Sequence, residues 1–477
     1  MRRIGARRGM RKTFSGVRLK RLREERGMTQ AALAKALDLS PSYLNQIENN
    51  QRPLTVAVLL RLNAAFGVDV QLFAEDDEAR LIGELKDALS DPAVSDPIAT
   101  SELREIASAM PAVGRAIVTL HRRYRQAAER AEALTARLAP GAEAAGVLPL
   151  LPYEQVRDFF YANHNYFHEL DAAAERLAAR LGGGPGAAAA PAFAARLESA
   201  HGVRVTVDGE ADRLYRRSGD ALRLSPRMRP GQQAFQMATQ LAFLEAGDSL
   251  ERLADEAAKG DRETHALARI GLAHHFAGAL LMPYAGFLQN AEDRRYDIER
   301  LGQLYGLGFE TICHRLSTLQ RPNARGVPFV FVRVDRAGNI SKRQSATDFH
   351  FSRVGGACPL WNVYEAFAQP SRILTQIARM PDGRAYLWVA RTVSRPAGAY
   401  GAIPKTFAIA LGCDLRHADR LVYAKGLDLA DPDAATPIGA GCKVCERPAC
   451  PQRAFPPVGR KLTIDETSRA FAPYSAA

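Results

Sequence analysis

Three cysteines fall within nine residues, Cys442-Lys-Val-Cys445-Glu-Arg-Pro-Ala-Cys450, and Pro451 follows directly. Thiolates two residues apart can close on one metal centre, and a third nearby supplies another corner. The fourth ligand has to come from elsewhere. Cys413, at the end of a predicted strand, is the first choice. Cys358, in Gly355-Gly356-Ala357-Cys358-Pro359, is the second. Cys313 stands among Ile312, Leu316 and Leu319 and reads as core. Zinc and a [4Fe-4S] cluster both suit three or four thiolates, and the proline after Cys450 tilts the choice toward iron–sulfur by analogy with ferredoxin runs. Six cysteines in 477 residues do not make a disulfide scaffold. With no apolar segment after the basic start to act as an export signal, a reducing cytoplasm is the expected location.

A second spacing that could hold a metal lies in Phe159-Phe160-Tyr161-Ala162-Asn163-His164-Asn165-Tyr166-Phe167-His168-Glu169. On a helix, His164 and His168 share one face, as a zinc pair does. The helical metalloprotease motif needs a glutamate directly after the first histidine. Asn165 occupies that place, so peptidase chemistry is not expected here, and satisfied polar groups beside an aromatic core are the simpler reading.

Charge points to a different partner. The formal net charge is +12. Residues 1–27 hold eleven arginines and lysines against Glu24 and Glu25, a balance of +9, which leaves +3 for the remaining 450 residues. A basic end on a near-neutral body suits nucleic acid, because phosphate contacts release counterions. Residues 1–13 lack the apolar stripe of a membrane-surface helix. The longest apolar run, Phe276–Leu288, is too short to span a bilayer and contains Pro283.

The elements that must carry these groups follow from capping and periodicity. A helix over 16–27 ends at Gly27. A second opens at Gln30 behind Thr29, with Ala31, Leu33, Ala34 and Leu37 on one face. After the Asp38-Leu39 turn, Ser40 and Pro41 start a third, Ser as N-cap and Pro in the first turn. Leu44 and Ile47 face inward there, leaving Ser42, Tyr43, Asn45 and Gln46 outward near the helix start. That is a helix-turn-helix.

Residues 76–139 are helical in pattern, broken at Pro111. Val113–Leu138 is amphipathic, either a dimer contact or a packing helix. Residues 139–146 and 182–186 read as loops. After Pro322 the period becomes two. Strands are expected at Pro328–Val334, Ile340–Ser345, Ala385–Thr392, Thr406–Gly412 and Leu421–Ala424, with a short helix at Ser371–Met380. The fold class is therefore mainly α with a C-terminal α+β domain of small sheet and cysteine loop. Five segments are expected: a basic arm (1–14), the helix-turn-helix (15–75), a helical connector (76–150), a helical core (151–320) and the sheet domain (321–477).

Three resemblances add to this reading. The run Gln30–Asn49, with Tyr-Leu-Asn-Gln-Ile-Glu-Asn and Arg52-Pro53 behind it, resembles the XRE/lambda-repressor-like helix-turn-helix family; Asp38 stands where glycine is usual. The resemblance implies that Gln30, Ser42, Tyr43 and Gln46 touch DNA, that Asn45 and Arg52 hold phosphates, and that the protein is a homodimer. Residues 192–283 are similar to the ImmA/IrrE peptidase-like domain. Where that family has Ala-His-Glu-Leu-x-His, this chain has Ala238-Thr239-Gln240-Leu241-Ala242-Phe243. Both zinc histidines and the base are gone, so no enzyme activity is expected.

Finally, Phe159–Glu169, Cys313–Pro322, Phe349–Trp361 and Gly439–Pro457 together resemble the short-chain fatty acyl-responsive transcriptional regulators of propionate, acetate and glyoxylate-cycle genes. That implies a cytoplasmic DNA-binding regulator with an acyl-CoA effector and a C-terminal iron–sulfur cluster. The rival readings are a metal-dependent peptidase and a phage- or toxin-type repressor whose middle domain binds a protein.

Overall fold

A computed structural model describes residues 16–49, 51–52, 54–66, 76–89, 98–137, 152–209, 213–347, 358–395, 400–401, 403–439, 441–442, 445, 447, 450–456 and 467. The basic arm 1–14 and the loop expected at 139–146 lie outside these residues. The chain divides into two compact units, one of residues 1–141 with 457–462 and 476–477, the other of residues 142–456 with 463–475.

The first unit is helical: α1 (Gly16–Glu25), α2 (Gln30–Ala36), α3 (Pro41–Glu48), α4 (Val56–Phe66), α5 (Asp76–Leu89), α6 (Thr100–Ala109) and α7 (Pro111–Arg137). The expected caps form. The Thr29 hydroxyl accepts from the Ala32 amide and the Ser40 hydroxyl from the Tyr43 amide. Asp38 takes a left-handed backbone at φ +50°, doing the work a glycine does in related turns. Leu19, Leu33, Leu37, Leu44, Ile47, Leu54, Val58 and Leu62 close one small core. Leu81, Leu85, Leu103, Ala107 and Val118 close another between α5, α6 and α7. Helix α7 leaves Val113, Leu120 and Tyr124 exposed.

In the second unit, α8 (Pro152–Ala162), α9 (His168–Leu181) and α10 (Ala190–His201) lead into a small sheet of order β1-β3-β2, made of Arg204–Thr206, Ala221–Leu224 and Tyr215–Ser218. Then come α11 (Pro230–Glu245), α12 (Gly247–Ala258), α13 (Arg262–Leu281), α14 (Tyr284–Asp293), α15 (Ile298–Tyr305) and α16 (Phe309–Leu316). A six-stranded sheet follows in the order β5-β4-β8-β7-β6-β9, with β4 (Val330–Val334), β5 (Ile340–Ser345), β6 (Leu374–Arg379), β7 (Ala385–Arg395), β8 (Lys405–Asp414) and β9 (Thr436–Pro437). Helix α17 (Asn362–Glu365) lies between β5 and β6.

Strand parity sorts the sheet's two faces. Phe331, Leu387, Val389, Ile409, Leu411 and Cys413 join the large helical core. Val330, Val332, Val334, Trp388, Ala408 and Ala410 form a second core with Cys358, Trp361, Val363 and Ile438. Gly412 is required beside Trp388, since a Cβ there would meet the indole at 2.5 Å.

Two sequence expectations are corrected. Ser371–Met380 is not a helix: Leu374–Arg379 is β6, antiparallel to β7 and parallel to β9. The adjacent Ile377 and Ala378 are buried in different cores while Thr375 is exposed, which blurs the period-two signal. Leu421–Ala424 is not a strand but ends in a short 3₁₀ helix, Val422–Ala424, whose first amide donates to the Arg295 carbonyl instead of to a sheet neighbour.

Candidate nucleic-acid interface and cysteine cleft

The start of α3 presents the polar groups anticipated from the sequence. Ser42 and Asn45 are exposed, Tyr43 and Gln46 half-buried. What holds this surface rigid is Glu48, one turn further on and only 4 % exposed. Its carboxylate accepts a fork from Arg23 of α1, Nε to Oε1 at 2.8 Å and Nη2 to Oε2 at 3.2 Å. The Gln30 amide of α2 donates to the same carboxylate at 2.9 Å and to Asn45 Oδ1 at 3.2 Å. One buried acid thus ties three helices.

Asn45 Oδ1 also accepts from Asn49 Nδ2 at 2.9 Å, which leaves the Asn45 amide NH₂ as the outward donor. The Gln46 carbonyl accepts from the amides of Gln51 and Arg52, fixing the turn after α3. The Arg52 guanidinium lies 5.6 Å from the centre of the Tyr43 ring. Arg23 and Glu48 were missed in the sequence reading. Their signal was present in the register Leu44, Ile47, Glu48, which puts the glutamate on the inner face.

The six cysteines divide by place. Cys313 is fully buried on α16, as its apolar neighbours suggested. Cys358, Cys442, Cys445 and Cys450 line one small cleft with Pro359, Pro437, Gly439, Gly441, Arg447, Gln452 and Arg453. Cys413 does not line it. Its parity on β8 turns it into the helical core, fully buried, while Cys358 packs against the sheet's opposite face. Of the two possible fourth ligands weighed from the sequence, the fold brings Cys358 to the other three.

Gly439 permits this approach, because a Cβ there would sit 2.6 Å from Cys445 Sγ. The Ala454 amide donates to Cys442 Sγ at 3.5 Å. Burial pushes the Cys358 thiol up, helped by the neighbouring Cys445 and Cys442. Among the described residues, no group of three or more His, Cys, Asp or Glu side chains is set at metal-holding geometry.

Known proteins match this organisation segment by segment. A helix-turn-helix model matches residues 19–73, an IrrE N-terminal-like domain residues 198–317, and the C-terminal domain of the short-chain fatty acyl coenzyme A regulators residues 318–474. The HTH-type transcriptional regulator RamB of Mycobacterium tuberculosis is 53% identical over 472 residues, which is 98% of this chain and 99% of that protein. The chain belongs to the short-chain fatty acyl coenzyme A regulators. PrpR, an HTH-type transcriptional regulator of the same organism, is 50% identical over 98% of this chain and 96% of its own length. A propionyl-CoA carboxylase regulator of Cereibacter sphaeroides is 45% identical over 97% and 98%. A solved Mycobacterium tuberculosis transcriptional regulator, 50% identical, superposes on 68% of this chain and 100% of its own at a TM-score of 0.66. This chain is thus a helix-turn-helix transcriptional regulator. No helix among its described residues is long and apolar enough to cross a membrane.

The IrrE-like stretch of this regulator includes α11 to α16, and α11 carries Thr239, Gln240 and Phe243. On α11 the Thr239 hydroxyl donates to the Phe235 carbonyl of its own helix at 2.8 Å, and Gln240 is buried beside it. Phe243 lies under the Arg269 guanidinium, 5.0 Å from ring centre to Cζ.

The His164/His168 pair is corrected. The helix expected through this run ends at Ala162. His164 and Asn165 take left-handed backbones at φ +49° and +58°, and α9 begins only at His168, so the two histidines share no helix face. His168 Nδ1 instead lies 3.0 Å from the Tyr166 hydroxyl.

Beneath that turn lies a network the sequence did not reveal. Asp171, fully buried, accepts from Arg315 Nη1 at 2.5 Å and from Arg321 Nη2 at 3.2 Å. Burial pushes its carboxyl up, but Arg315 outweighs that and holds it below the usual range. Arg321 also donates to Glu175 at 2.8 Å, and His275 Nε2 stands 3.8 Å from Asp171.

Proposed function

We propose that this regulator binds operator DNA as a homodimer in the cytoplasm and that a short-chain acyl-CoA sets its affinity. Ser42, Tyr43, Gln46 and Gln30 read base edges; Asn45 and Arg52 hold phosphates. The observation that carries this is the polar start of α3 held on a frame that Glu48 locks from beneath, since base readout needs side chains at fixed register. The genes in question are those of propionate and short-chain acyl-CoA metabolism, as the name of the Cereibacter sphaeroides relative, a propionyl-CoA carboxylase regulator, suggests. The effector reading rests on the C-terminal domain family. An acyl-CoA shifts the regulator only through unequal affinity for its DNA-competent and other conformations. The IrrE-like stretch serves as scaffold and not as a peptidase, for it holds neither histidine ligands nor a carboxylate base at Thr239, Gln240 and Phe243.

The cysteine cleft supports a metal centre held by Cys358, Cys442, Cys445 and Cys450, with Cys358 in place of Cys413. Four cysteines line one cleft, with Gly439 leaving room for Cys445; a metal drawing their thiols together would complete a tetrathiolate donor set. A [4Fe-4S] cluster is the first choice and zinc the second; either would cross-link the loop to the segment before α17. The chain's own part is to converge the thiols and exclude water.

The test is fluorescence anisotropy of the full chain on promoter fragments of propionate-metabolism genes, with and without propionyl-CoA or acetyl-CoA. Saturable, sequence-selective binding that shifts at least several-fold with one thioester is expected. Binding that is sequence-blind and indifferent to every acyl-CoA sinks the reading.

A further inference from the structure

Among the described residues two arginines are buried outright, Arg315 and Arg453, and they are satisfied differently. Arg315 has Asp171 and Arg23 has Glu48. Arg453, only 4 % exposed, has no carboxylate partner among the described residues. Its donors go to main-chain carbonyls: Nη1 to Cys442 at 2.8 Å and Phe455 at 3.5 Å, Nη2 to Cys445 at 2.9 Å and Arg447 at 2.6 Å. Its own amide donates to the Cys450 carbonyl at 3.2 Å. Arg453 thus binds the backbone of all three cysteines of the loop, two through its guanidinium and the third through its amide.

Arg447 lines the same cleft. It donates from Nε to the Ile438 carbonyl at 3.2 Å and from Nη2 to the Arg379 carbonyl at 2.5 Å, anchoring the loop to the end of β6. Carbonyl dipoles satisfy the donors but leave the unit charges uncancelled, a costly state in a buried site.

We infer that Arg453 and Arg447 are the positioning groups and counter-charges of the cysteine cleft, with the four thiolates as the anion they are built to receive. The inference rests on reading the cleft as a tetrathiolate metal centre. Four thiolates around a doubly charged metal core leave a net dianion. Two guanidiniums match that charge, and no described carboxylate at the cleft competes for them. Arg453 adds geometry, since its guanidinium spans the carbonyls of Cys442, Cys445 and Arg447.

The test uses the full chain, purified anaerobically and loaded either with ferrous iron and sulfide or with zinc alone. Metal per chain, the rate of loss to EDTA, and the pH at which half the metal is released are measured for wild type, Arg453→Met, Arg453→Lys and Arg447→Met. Both Met variants are expected to lose metal about tenfold faster or more, the usual scale for groups that orient ligands. Their half-release should move to higher pH, because without the positive charge protons compete better for the thiolates. Arg453→Lys keeps the charge and loses the fork: its half-release pH should return toward wild type while its loss rate stays fast. Should Arg453→Met fail to fold, Arg447→Met, which leaves the carbonyl cage intact, decides the matter. Wild-type rates and wild-type half-release in the Met variants overturn the inference alone. A wild-type chain that takes up neither metal overturns the metal-centre reading and the inference with it.

Discussion

The Arg23 guanidinium grips the Glu48 carboxylate through two parallel hydrogen bonds, and the acid is nearly closed to solvent. Geometry of that kind separates this pair from ordinary surface ion pairs. Removing the acid takes the fork from Arg23, which is itself mostly covered and is left with the Met28 carbonyl and the more distant Glu24, and deprives Gln30 of one acceptor. Glu48→Ala should therefore cost about 2–4 kcal/mol in the DNA-reading helices and weaken operator binding even though Glu48 touches no DNA. Urea melts of the full chain, paired with anisotropy on an operator fragment, check this. An unshifted midpoint with full affinity would show that the fork is incidental.

Much of this frame was legible beforehand, because caps and inward apolar positions are local signals. Thr29, Ser40, Pro41, Leu44 and Ile47 each act as their type and spacing predict. What stayed hidden depends on long-range pairing. In β6 the adjacent Ile377 and Ala378 are buried on opposite faces while Thr375 is exposed, so the segment offers no clean alternation to read. Nor does spacing show that Cys413, the first choice from the sequence, and Cys358 pack on opposite faces of one sheet; only the assembled fold separates them. His164 misled because helical spacing was assumed through a run where the backbone turns left-handed twice. Arg453 carried no signal at all, since its partners are carbonyls.

Asp171 offers a sharp contrast of magnitudes within the second unit. It is fully buried between Arg315 and Arg321, and Asp171→Ala would leave Arg315 charged and buried without a counter-ion. A loss of about 3–5 kcal/mol is expected. The Arg252–Glu169 pair, with side chains 58% and 42% exposed, should give less than about 1 kcal/mol when Arg252 becomes Ala. Chemical denaturation of the two variants side by side distinguishes them, and equal losses would contradict the assignment of Asp171 as the buried keystone of this network.

Acid should weaken the same region. Burial pushes His275 down to about 4 against the pull of Asp171, and neither ring nitrogen has a hydrogen-bond partner among the described residues. His274 is likewise pushed to about 4 by burial, with Lys342 adding to it. The folded chain keeps these imidazoles neutral, whereas the unfolded chain takes up protons near the usual value of 6.5. Stability is therefore complete above that pH and declines as pH falls from 6.5 toward 4. The slope approaches about 1.4 kcal/mol per pH unit for each such histidine. Thermal melts between pH 7.5 and 5 should show the decline, less steep in His275→Leu. An identical slope in that variant would mean that His275 is not the group responsible.

The two kinds of DNA contact proposed for α3 and the turn behind it should separate by salt. Ser42 and Gln46 are placed to meet base edges, so Ser42→Ala or Gln46→Ala should cost about 1–3 kcal/mol on the preferred operator and much less on unrelated duplex. Arg52, exposed and held beside the Tyr43 ring, is placed for a phosphate. Arg52→Ala should weaken every duplex alike and lower the slope of log affinity against log salt by about one. Glu48 sharpens the comparison, because its loss should weaken both kinds of binding while leaving Arg52's salt term in place. Salt titrations of the four variants on cognate and scrambled fragments give each pattern directly. If Arg52→Ala changed sequence preference with no effect on the salt slope, the roles assigned to these positions would have to be exchanged.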